Sequence, residues 1–147
     1  MEITPFIPVI TEATKFMFDE VGKWIDDVRQ RSKKTTIEST DNVVINQASR
    51  LTKQDFITLE ANPNELQSLI NIRLAETNAY EIRGLIKQIQ THRRNLVDLE
   101  TAEAKYGALT PVGVKRDIED EADAIVEKSA RLKSLLELVY GRRIENV

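Results

Sequence analysis

Apolar positions recur along this chain at helical spacing in three stretches, divided by two polar breaks. In the first, Ile10, Ala13, Met17, Val21, Trp24 and Val28 fall three and four residues apart, which predicts an amphipathic helix from about Pro8 to Arg31. Phe16, Phe18 and Ile25 widen that face. A stripe this broad predicts contact with two or more neighbouring helices, or with a surface outside the monomer. The second stretch spans residues 63–107, with Asn62 as N-cap and Pro63 in the first turn. Ile72, Ala75, Ala79, Ile82, Ile86 and Ile89 form its first seam, and Leu85, Ile89, His92, Leu96, Leu99 and Tyr106 form a second. Read as one helix it would be roughly 65 Å long, with Gly84 as its weak point. The third stretch, residues 110–141, carries Ile118, Ala122, Ile125, Ser129, Leu132, Leu136 and Val139 as a heptad seam. Thr110 and Pro111 start it and Gly141 ends it.

Between the first two stretches, residues 32–62 have no sustained period. Ser, Thr, Asp and Asn cluster there as in a connection. Thr52 and Asp55 predict a short capped helix over 52–60, and a second is possible over 42–50. Val43-Val44-Ile45, inside the uncharged window Asn42–Gln47, reads as an apolar plug on the bundle. A strand stacked between chains is the less favoured alternative.

The second and third stretches meet at Tyr106-Gly107 and Thr110-Pro111, a left-handed stop followed by a restart. This predicts an antiparallel helical hairpin. A turn centred near residue 109 places Lys115 and Arg116 by Glu103 and Glu100, and Arg93 and Arg94 by Asp123 and Glu127. Opposite charges meet across both ends. The architecture expected is all-α: an elongated helical bundle of three long helices with this antiparallel α-hairpin, plus one or two short helices, in one domain over residues 1–147.

Composition narrows the class. Few aromatics, 5 Gly and 4 Pro favour helices over sheets. A net charge of −3 gives no global attraction to nucleic acid or acidic lipid. The absence of cysteine removes disulfides and thiolate chemistry and fits a cytoplasmic location. The start, Met1-Glu2-Ile3-Thr4-Pro5, is not a secretory signal, and no apolar run is long enough to span a bilayer.

The run His92-Arg93-Arg94-Asn95-Leu96, Leu99-Glu100, Lys105-Tyr106-Gly107, Pro111, Ile118-Glu119-Asp120-Glu121 and Ile125 resembles a helical hairpin segment of bacterial multidomain conflict-signalling proteins. In those proteins, effector-associated or death-like helical modules sit beside nucleotide-binding switch, peptidase or repeat domains. The resemblance covers about residues 85–136. It implies an adaptor role in signalling or cell suicide, and it brings no catalytic residues with it.

Candidate chemistry adds little. His92, the single histidine, reads as a hydrogen-bonded seam residue, because a zinc site would need further His or Cys ligands. Glu119, Asp123 and Glu127 share a helix face and read as a solvated surface meeting Arg93 and Arg94. The glycines form no phosphate loop. The basic runs at Arg29–Lys34 and His92–Arg94 are diluted by acids and do not read as a nucleic-acid site. The expectation is therefore a non-enzymatic protein–protein interaction or oligomerisation module, with no catalytic, cofactor or metal residues and a homo-oligomer as the expected assembly. The interaction residues expected are Phe16, Met17, Val21, Trp24, Ile25, Arg93 and Arg94. The alternative is a membrane-perturbing helical-bundle effector acting through the N-terminal amphipathic helix.

Overall fold

The computed structural model describes residues 6–33 and 46–145, and the chain is mostly helical. Helices α1 (Phe6–Lys15) and α2 (Gly22–Arg31) are joined without a break by a π-helical segment, Phe16–Val21. Strand β1 (Asn46–Leu51) precedes two short helices, α3 (Lys53–Glu60) and α4 (Pro63–Leu69). Two long helices follow, α5 (Ile72–Tyr106) and α6 (Val112–Tyr140), and a short strand β2 (Arg142–Ile144) closes the described chain.

The π-helical segment explains the over-wide first stripe. A π turn holds more residues than an α turn, so consecutive side chains swing toward one side. Phe16, Met17, Phe18 and Val21 are all buried. The breadth that predicted an external contact is taken up inside the chain, with Phe18 against Phe56 of α3 at 6.1 Å between ring centroids.

The stretch 63–107 is not one helix. It breaks at Ile70–Asn71, where Ile70 is extended and its side chain is buried. The break satisfies two sets of helix-end groups. The Asn71 side chain accepts from the Leu74 N–H at 3.1 Å and caps α5. The Asn71 N–H donates to the Val139 carbonyl at 2.9 Å, an oxygen in the last turn of α6 with no partner within its own helix. Asn62, the expected cap, makes no side-chain cap bond. Gly84 causes no break.

The turn between α5 and α6 also differs from expectation in its details. Gly107 has φ +55 and ψ −127, a conformation that a side chain disfavours. The buried Thr110 does not cap α6. Its hydroxyl turns back to the Gly107 carbonyl at 2.5 Å, with the Glu103 carbonyl 3.3 Å away, and so closes the end of α5. From this turn α5 and α6 pack along one another as far as the Asn71–Val139 bond. The pairing register is not that of a symmetric turn. His92 meets Glu121, and Glu81 meets Arg131. Asp123 and Glu119 take Ser32 and Lys33 at the end of α2.

All seven expected seam residues of α6, Ile118 to Val139, are buried. On α5 the outermost seam positions, Ile72 and Tyr106, lie exposed. The 52–60 helix forms as expected, with the Thr52–Asp55 capping box complete. Of the range 42–50, where a second was possible, residues 46–50 belong instead to β1, paired in parallel with β2, and residues 42–45 lie outside the described residues. Gly141, left-handed at φ +66, turns the chain out of α6 and back beside Leu51. Val43-Val44-Ile45 lies outside the described residues.

Candidate functional site

The residues expected to make an interaction surface divide sharply. Phe16, Met17, Val21 and Ile25 are buried among the core of their own chain. They cannot meet a partner while the fold is intact. Trp24 is half-buried beneath the Arg93 guanidinium, which lies 5.1 Å from the centre of the indole and also 3.8 Å from Glu100. Arg94 is exposed.

The basic end of the first helix is spent on the bundle. Arg31 forks onto Glu103 at 2.8 and 3.4 Å and reaches Glu100 at 3.5 Å. The hydrogen bond to Glu103 chiefly raises the Arg31 pKa, against a smaller effect of burial. Lys33 pairs with Glu119 at 3.2 Å. Asp123 accepts from the Ser32 hydroxyl at 2.6 Å and from the Lys33 N–H at 3.0 Å. The carboxylate face of α6 therefore holds the end of α2, rather than Arg93 and Arg94.

His92 sits between the two long helices. Its Nδ1 lies 2.6 Å from Glu121, and its Nε2 faces the Lys128 ammonium at 2.9 Å. The simplest assignment puts the proton on Nδ1, leaving the Nε2 lone pair to accept from Lys128. This is a clamp across the hairpin. Asp98, Asp117, Asp120 and Glu121 line a nearby open groove. Among the described residues no set of acids and histidine converges as a metal site.

Two buried polar features carry no sequence pattern. Glu137 is 5% exposed and accepts from the Ile144 N–H at 2.9 Å, with Arg143 3.8 Å away. Thr14 and Tyr140 pair their hydroxyls at 2.7 Å in the core. The Thr14 hydroxyl already donates to the Ile10 carbonyl, so Tyr140 donates to Thr14. Burial pushes the Tyr140 pKa well up, and the charge of Glu60 adds to the rise.

A pH dependence follows. Above about pH 10 the unfolded chain sheds this proton while the folded chain keeps it. The contribution is full below that pH and declines above it. Unfolding free energies in urea between about pH 9 and 11 should fall more steeply for the wild type than for Tyr140→Phe. Parallel slopes would show that Tyr140 ionises freely in the fold.

What remains for recognition is exposed apolar surface. On α5, Tyr80 is 93% exposed, with Ile72 and Val97 partly so. At the turn, Leu109 is 86% and Val112 71% exposed, beside Tyr106. Tyr80 shares its face with Glu76, Thr77, Arg83 and Lys87, all exposed. One turn on, a Cβ at Gly84 would meet nothing closer than the Gln88 amide at 4.0 Å. Internal packing therefore does not require a glycine there. The exposure of Tyr80 could not be read from the seams, which fix only what is buried.

Among the described residues no helix is long and apolar enough to cross a membrane. No protein family, curated protein or solved structure gives a significant match to this chain.

Proposed function

We propose that this chain is a non-enzymatic protein–protein association module that self-associates, and that it serves as an adaptor in bacterial signalling or defence, as the hairpin resemblance implies. Its architecture in this reading is an elongated bundle on an antiparallel α5–α6 hairpin. One observation carries the proposal. Tyr80 stands out from the solvent face of α5 with Arg83 and Lys87 beside it, one turn from a glycine that internal packing does not need. Tyrosine and arginine are enriched where interfaces concentrate their energy. A glycine at this spacing lets a second helix approach closely, and it costs on the order of 1 kcal/mol of helix propensity.

The alternative, a membrane effector that releases its first helix, is disfavoured by the same structure. Release would expose Phe16, Met17, Val21 and Ile25, which the core now covers.

The chain has no cysteine, so one added thiol labels one site. Pyrene on Thr77→Cys, beside Tyr80, should give excimer emission as the protein is concentrated, and Tyr80→Glu should suppress it. Pyrene on Thr101→Cys, about 36 Å further along the helix, should give none. Absence of excimer at Thr77→Cys up to high micromolar protein would remove this face as the contact.

A further inference from the structure

The turn between α5 and α6 is a second exposed feature, chemically unlike the Tyr80 face. From Tyr106 to Val114 the sequence Tyr-Gly-Ala-Leu-Thr-Pro-Val-Gly-Val carries no charge. Leu109 and Val112 stand at 86% and 71% exposure, and Tyr106 at 51%. Lys105 on one side and Lys115 and Arg116 on the other are exposed, and none of the three takes part in an ion pair with a described residue. The nearest acids are mostly committed elsewhere: Glu103 is forked by Arg31 and Glu119 is paired with Lys33. Asp117, also exposed, follows Arg116 directly and offsets one of the three cations. The tip is thus an aliphatic point in a cationic collar, on a chain whose net charge is negative.

We propose that this tip docks on an anionic membrane surface, with Leu109 and Val112 dipping into the headgroup–acyl boundary and Lys105, Lys115 and Arg116 against lipid phosphates. Shape favours a bilayer over a protein partner. A convex turn with three large apolar side chains offers far less than the roughly 800 Å² per partner of a stable protein interface. A bilayer needs no matching surface. Tyrosine suits the headgroup level, where one end of the ring is apolar and the other wet. Each cation near an anionic leaflet strengthens binding about five-fold, and salt screens this. The tip lies outside the core, so docking neither opens the bundle nor perforates the bilayer.

Co-sedimentation of the full chain tests the proposal, using phosphatidylcholine vesicles with and without phosphatidylserine. The wild type should pellet with the phosphatidylserine vesicles at low salt and stay in solution with phosphatidylcholine alone. The exposed double variant Leu109→Glu/Val112→Glu should stay in solution while keeping its helical circular dichroism. Lys115→Gln/Arg116→Gln should weaken binding roughly twenty-five-fold. No pelleting of the wild type, or pelleting that Leu109→Glu/Val112→Glu leaves unchanged, overturns the proposal. A tip variant that abolishes self-association while the wild type ignores lipid would assign the tip to a protein contact instead, and also overturns it.

Discussion

Leu132→Ala should destabilise this protein by about 2–5 kcal/mol, the largest effect expected of a single conservative truncation here. Leu132 is fully buried at the middle of the α6 seam, between Ser129 and Leu136, where α6 lies along α5. Removing most of the side chain loses its burial and leaves a cavity between two long helices. Neither helix moves easily, because the His92–Glu121 contact and the Asn71–Val139 hydrogen bond tie them on either side. Total stability for a domain is only about 5–15 kcal/mol, so thermal melting followed by circular dichroism should show a marked drop in midpoint. A loss below about 1 kcal/mol would show that the seam is loosely packed.

Glu137→Ala is the second. The Glu137 carboxylate lies in the core and satisfies the Ile144 N–H, and so fastens β2 to the end of α6. Alanine leaves that buried donor without its acceptor, at a cost of about 1–3 kcal/mol. Glu137→Gln keeps an acceptor oxygen and should recover most of the loss. Hydrogen exchange at the Ile144 amide should accelerate in the alanine variant and stay slow in the glutamine one. If glutamine is as damaging as alanine, the ion pair with Arg143, and not the hydrogen bond, fastens the strand.

The helical class was legible because burial enforces periodicity. Each α6 seam position from Ile118 to Val139 announces itself by spacing, and each is buried. The Thr52–Asp55 capping box was legible for a similar reason: both ends of the interaction lie within one turn. Long-range satisfaction of polar groups was not legible. The break at Asn71 exists because the Val139 carbonyl, far along the chain, needs a donor. Nothing local distinguishes it from a continuous helix, although asparagine is a cap-forming type. The same holds for Thr14 with Tyr140, and for Asp123 with Ser32.

The expected interaction residues show the complementary limit. An amphipathic stripe says that Phe16, Met17, Val21 and Ile25 are covered, but not by what. A π-helical segment that let one chain cover them all was invisible to a count at α-helical period. Exposed Tyr80, Leu109 and Val112 lie off the seams, where the sequence pattern puts no constraint.

Self-association is the property on which the proposed function depends, and light scattering across a concentration series measures it without altering the chain. The weight-average mass should rise above the 16.8 kDa of one copy as the protein reaches high micromolar concentration. A mass that stays at one copy throughout that range would contradict it.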